Sequence, residues 1–233
     1  MSAACHVLAC ATVLEEVLPL LPEGMGYQEL DFGLHLNPEE LKLALQDAID
    51  KASQEADTIL LGYGLCSMAV VGLRANGCTL VVPKVDDCIA IFLGSRDAYK
   101  AQASKEPGTY YLTKGWIEVS DTLLDEYQKL VERYGKALAG RMMKLMLKNY
   151  TRLAYIDTGH QDQGRYQDYA HRVADKFQLR YEEIKGANTL VRKLLLGPWD
   201  GDFVVARPGQ TITYADFQAS TRAASKALGA PTP

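Results

Sequence analysis

Residues 58–67 read Thr58-Ile59-Leu60-Leu61-Gly62-Tyr63-Gly64-Leu65-Cys66-Ser67, and the reading of the whole fold turns on them. The run between Asp57 and Gly62 is short, apolar and uncharged, the signature of a central strand buried on both faces. Two glycines then free the backbone for a tight turn. Residues 68–73 are apolar enough to open a packed helix. Strand, glycine turn and helix together form the unit that presents a side chain at the carboxyl edge of an α/β sheet. Here that side chain is the thiol of Cys66.

Working outward from this strand, the same alternation appears on both sides. Residues 6–13 (HVLACATV) read as a first strand, and 14–21 as a short helix stopped by Pro22. Residues 27–35 (YQELDFGLH) read as a second strand ending on His35. Asn37, Pro38, Glu39 and Glu40 then make a strong helix start, because a capping amide, a proline and two carboxylates all suit the first turn. Beyond Asn76-Gly77 come a fourth strand over 78–83, a helix from Ile89 to about Ala103 and a fifth strand over 109–112. A helical stretch over 121–150 has Gly135 and Gly140 as weak points. Its Lys144 and Lys148, with Arg152 and neighbouring methionines, read as one basic solvated side. The alternation resumes with a strand at 153–157, a helix at 166–177, strands at 180–184 and 203–206, and a short helix at 189–196. The expected fold is therefore α/β, a mostly parallel sheet with helices on both faces, in two Rossmann-like halves. The expected boundaries are 1–120 for an N-terminal half carrying the site, 121–150 for a connecting helix, 151–214 for a C-terminal half and 215–233 for a small, polar tail.

Composition narrows the function classes. The 233 residues are 48% apolar and 23% charged, which suits an ordinary globular chain. A formal net charge of −4, with no Lys/Arg cluster interleaved with aromatics, argues against nucleic acid as a partner. No apolar run approaches the roughly 18 residues of a membrane span. The first residues lack a basic region before an apolar one, so the expected location is cytoplasmic. Five cysteines in that setting are thiols, metal ligands or redox groups before they are disulfides.

The placement of the sulfurs is the informative part. Cys5 and Cys78 fall at strand starts, where a thiol is a small packing group. Cys10 lies toward the carboxyl end of strand one, Cys66 just after strand three, Cys88 shortly after strand four, and His35 at the end of strand two. A parallel sheet brings these four to one edge, the edge at which open α/β sheets bind ligands. Three thiolates and an imidazole form a zinc set and also suit an iron–sulfur cluster. Asp86 and Asp87 serve the next helix N-terminus electrostatically, or orient a ligand as an outer shell. The turn at Gly62 and Gly64, and His160 in the second half's Thr158-Gly159-His160 turn, are the expected cofactor contacts. A metal-free alternative makes Cys66 a nucleophile, its thiolate favoured by a helix N-terminus and His35 or Asp87 its base. Against a nucleophile elbow, the glycine expected two residues after the nucleophile is Met68.

Several of these stretches resemble one family together: Gly-Tyr-Gly-Leu-Cys-Ser at 62–67 with Val-Val-Gly-Leu at 70–73, Gly33-Leu34-His35 before a Pro-Glu helix start, Asp87-Cys88-Ile89, Leu93-Gly94-Ser95-Arg96, and Pro107 to Thr113 with Gly115-Trp116. The combination resembles the domain of unknown function 1638 family (DUF1638) from about Cys10 to Pro208. The motif residues carried over are Cys10, His35, Cys66 and Cys88. One departure is Met68, where the family pattern leads one to expect a small polar residue such as Asn. The resemblance implies anaerobes and methanogens, and corrinoid-dependent methyl transfer with a corrinoid protein or methyltransferase as partner. The resulting expectation is a metal-binding protein or metalloenzyme, with zinc or an iron–sulfur cluster, linked to corrinoid one-carbon methyl transfer. A non-catalytic accessory that binds or delivers a corrinoid or metal satisfies the same pattern.

Overall fold

The structure, a computed structural model, describes residues 4–65 and 68–218. Its elements run β1 (Cys5–Cys10), α1 (Ala11–Val17), β2 (Gly26–Leu30), α2 (Pro38–Ala52), β3 (Thr58–Gly62), β4 (Thr79–Pro83), α3 (Cys88–Phe92), α4 (Arg96–Lys105), β5 (Thr109–Leu112), α5 (Lys114–Val119), α6 (Leu123–Tyr134), α7 (Lys136–Met146), β6 (Arg152–Asp157), α8 (Gln163–Phe177), β7 (Arg180–Lys185), α9 (Thr189–Leu196), β8 (Phe203–Ala206) and α10 (Tyr214–Gln218). The chain divides into two compact units. The described residues of Met1–Ile91 and Thr189–Pro233 form the first, and Phe92–Asn188 form the second.

The first unit is built on a five-stranded sheet in the order β2-β1-β3-β4-β8. β1, β2, β3 and β4 are mutually parallel, and β8 closes the edge antiparallel to β4. Every residue of β3 is buried, as its uninterrupted apolar run requires of a central strand. The chain leaves β1 toward β2 and then crosses back to β3. With right-handed crossovers this puts α1 and α2 on opposite faces and leaves a topological switch point between the carboxyl ends of β1 and β3. α2 begins where its caps dictate, with the Asn37 side chain accepting from Glu40 N–H, and it buries Leu41, Leu45, Ala48 and Ile49.

The second unit is a parallel three-stranded sheet in the order β5-β6-β7. Leu112, Leu153 and Tyr155 pack with Leu130, Met143, Ala170 and Val173 into one core cluster. Thr122 and Asp125 form a capping box that starts α6.

Tertiary contacts redraw several expected boundaries. Strand two ends at Leu30. The Asp31 side chain then accepts from Gly33 N–H at 2.6 Å and opens a 3-10 turn over Phe32–Leu36, so His35 sits in a turn rather than on a strand. The helix expected over 14–21 is instead α1, followed by a 3-10 turn over Leu18–Leu20. The described residues 69–72, within the span expected to open a helix, form turns instead. Gly72 N–H donates to Ile212 O at 2.8 Å, Ala75 N–H to Gln210 O at 2.9 Å, and Ile212 N–H to Leu73 O at 2.9 Å. Backbone groups engaged in this way do not close helical rings. The helix expected over 89–103 is split into α3 and α4 at Gly94, whose φ is +81°. Ser95 restarts it, its hydroxyl accepting from Ala98 N–H at 3.1 Å. The 121–150 stretch is two helices, broken at Gly135 with φ +77°.

Because β8 returns to the first sheet, the described residues from Thr189 onward belong with those of Met1–Ile91 in the first unit. Of the expected tail, residues 219–233 lie outside the described residues. Arg152 departs furthest from expectation. It opens β6 fully buried, with Nε donating to Thr109 Oγ1 at 2.8 Å and the guanidinium also donating to Glu182 at 3.0 Å and Gln102 at 3.1 Å.

Candidate metal centre at the switch point

Three of the four proposed ligands are described, and all three stand at the carboxyl edge of the first sheet. Cys10 is the last residue of β1 and is buried. His35 lies in the turn after β2, and Cys88 is the first residue of α3 after β4. Cys66 lies outside the described residues, but the chain entering it is described. Two close approaches fix the course of that chain. A Cβ on Gly62 would stand 2.7 Å from Ala9 Cβ, and one on Gly64 would stand 2.8 Å from Val85 Cγ2 and 2.9 Å from Val85 O. Leu65 N–H donates to Val85 O at 2.9 Å. The turn after β3 is thus laced to the segment that leads from β4 into Cys88, and only glycine fits at position 64.

His35 is joined to the same turn through its ring. It stacks on Tyr63 with centroids 5.9 Å apart and an interplanar angle of 22°, and on Phe32 at 5.0 Å and 28°. Its Nδ1 lies 3.0 Å from Phe32 O. A carbonyl only accepts, so Nδ1 carries the proton and Nε2 holds the lone pair. Burial pushes the His35 pKa down, and the carbonyl opposes this only in part. A neutral imidazole with its tautomer fixed by a backbone carbonyl is the form that binds a metal. Tyr63 was absent from the sequence-derived site. Its position inside the Gly62–Gly64 turn at the end of a central strand is the signal that points to it.

The remaining candidates sort by place. Asp87 Oδ1 accepts from Ile89 N–H at 2.9 Å, which caps the start of α3. Thr12, two residues after Cys10, is fully buried, and its hydroxyl has no hydrogen-bond partner among the described residues. His160 follows β6 in the second unit. Cys5 and Cys78 stand at the amino edge, where Cys5 pairs in register with Thr58, and Thr58 with Thr79. Burial pushes both thiols up in pKa, with Asp57 adding to the effect at Cys5 and Asp50 at Cys78. Protonated, packed thiols are poor ligands. Among the described residues no group of three His, Cys, Asp or Glu side chains is gathered to hold a metal ion. Cys10, His35 and Cys88 thus stand at one edge without forming such a group by themselves, although thiol and imidazole are the donor types of zinc and iron–sulfur sites.

The model of the family described as "Protein of unknown function (DUF1638)" matches residues 29–195. This chain belongs to the DUF1638 family. No curated protein and no solved structure matches it. The DUF1638 match takes in His35, the Gly62–Gly64 turn, Cys66, Cys88 and His160, and it begins after Cys10. Met68, where the DUF1638 pattern leads one to expect a small polar residue, has φ +61°. That is left-handed backbone, which Asn tolerates better than an unbranched apolar side chain.

Proposed function

We propose that this chain is a metal-binding protein, holding zinc or an iron–sulfur cluster through Cys10, Cys66, Cys88 and His35, and serving corrinoid-linked one-carbon methyl transfer. The observation that carries the reading is His35. Its proton is committed to Phe32 O at 3.0 Å and its ring is kept neutral by burial, which leaves Nε2 in the state a ligand needs. The cysteines of the set come from the ends of the strands on either side of the switch point, where α/β sheets bind ligands. A zinc bound there, with one protein ligand giving way to an incoming thiol, would act as a Lewis acid that lowers that thiol's pKa. The chain's own part is to supply deprotonated sulfur, to hold the imidazole against Tyr63 and Phe32, and to keep the Cys66 turn pressed on Val85 through Gly64. Methyl transfer enters from the family resemblance. The nucleophile reading, with Cys66 as a metal-free thiolate, is the alternative that the experiment below separates from this one.

The test is metal analysis and an absorption spectrum of protein purified without oxygen. The expected result is one centre per chain, colourless for zinc and brown for an iron–sulfur cluster. Cys10→Ser, Cys66→Ser and Cys88→Ser should each lose it, because a hard oxygen replaces a soft thiolate, whereas Cys5→Ala and Cys78→Ala should keep it. Rapid alkylation of Cys66 in untreated protein, with no metal found, would overturn the reading.

A further inference from the structure

The segment from Gly135 to Tyr150 contains Lys136, Arg141, Lys144 and Lys148 and no Asp or Glu, within a chain of net charge −4. α7 and the residue after it bury Ala139, Met143 and Leu147 into the core of the second unit. That spacing of four is the inward stripe of a helix. The same period turns Leu138, Arg141 and Leu145 to the opposite side. Their exposure agrees: Leu145 is 68% exposed and Leu138 40%. Lys144 and Lys148 are exposed alongside them. No carboxylate partners any of these four cations among the described residues. α7 therefore carries two apolar stripes, one satisfied by the core and one facing water amid uncompensated positive charge.

We propose that this outward face of α7 docks the protein onto an anionic lipid surface. The inference is independent of the metal centre. Leu138 and Leu145 on the face would enter the headgroup boundary, while the lysine stems lie along the apolar surface and keep their ammonium groups among lipid phosphates and carboxylates. Each cation adds attraction to an anionic leaflet. A second copy of the chain is a worse occupant, since a two-fold contact through α7 would set these cations against their own copies. Among the described residues no helix is long and apolar enough to cross a membrane. α7 would lie in the plane of the surface.

The experiment is co-sedimentation of the full chain with phosphatidylcholine vesicles, with and without phosphatidylserine. The expected result is partitioning about tenfold or more in favour of the phosphatidylserine vesicles at low salt, lost at high salt. Lys144→Glu with Lys148→Glu should bring binding down to the level of neutral vesicles. Leu145→Gln should weaken it several-fold at constant charge. All three positions are exposed, so the melting temperature should stay at the wild-type value. Should the double reversal unfold, Lys148→Gln alone reports the same charge dependence with less perturbation. Equal partitioning on the two vesicle types, or binding unmoved by a folded charge variant, would overturn the proposal and leave the face to a protein partner.

Discussion

The two sheets of this protein share a parallel core of strands, yet they differ in strand order and in which edge carries their notable polar side chains. In the three-stranded sheet the order β5-β6-β7 follows the chain. Successive crossovers run the same way, so no crevice opens between adjacent strands. Its most distinctive polar group, Arg152, sits at the amino end of β6, fully buried and held by Thr109, Glu182 and Gln102. In the five-stranded sheet the chain reverses direction between β1 and β3, and the adjoining turns carry Cys10, Tyr63, Gly64 and, from the neighbouring connections, His35 and Cys88. The lesson is that strand order rather than strand composition decides where an α/β unit can hold a ligand. The second sheet's buried charge lies at an amino end and is fully paired, whereas the side chains of the proposed centre lie at the first sheet's carboxyl edge.

That contrast can be broken by substitution. Arg152→Ala should have the largest effect on stability. It removes one partner of a buried network, at a cost of about 3 kcal/mol, and metal content should be unchanged. Chemical denaturation with metal analysis checks both parts, and metal loss in the folded variant would end the separation of roles. Gly64→Ala should behave in the reverse way. Its Cβ meets Val85 Cγ2 at 2.8 Å and Val85 O at 2.9 Å, so the turn must shift. We expect about 2 kcal/mol of destabilisation and a clear loss of metal; a variant that retains full metal would show that the turn does not position the centre.

Met68→Asn should be stabilising by about 1 kcal/mol, because Asn relieves a left-handed φ of +61°. A fall in melting temperature would instead show that the Met68 side chain contributes more than its backbone costs. The gentlest effect is on pH dependence. Burial holds the folded His35 pKa below its ordinary value. Above about pH 6.5 both folded and unfolded chains carry a neutral imidazole. As pH falls the unfolded chain protonates first, so stability is lost from about pH 6.5 downward. His35→Gln should flatten that slope without abolishing it, since burial lowers His6 in the same way. An unchanged slope in stability measured against pH would mean that His35 is not desolvated at this edge.

Local pattern carried far in this chain, but unevenly. α9 and β8 fall on the residues expected from apolar period and turn spacing, and α2 starts at the Asn37-Pro38 signal, because caps and periodicity act within a few residues. The helix expected after Gly64 was equally plausible by composition. Residues 69–72 form turns instead, and Gly72, Leu73 and Ala75 bond to Gln210 and Ile212, far along the chain, so that no local window contains these partners. The sequence by itself determined the alternation of strands and helices and the segregation of cysteines between strand starts and strand ends, since burial of an apolar run and the cost of an unpaired backbone are settled locally. Only the tertiary structure decided that β8 returns antiparallel to β4, that Arg152 is buried rather than solvated, and that Tyr63 stacks on His35. Each of these depends on the order in which strands pair, and pairing energy belongs to residues brought together across the chain rather than to either segment alone.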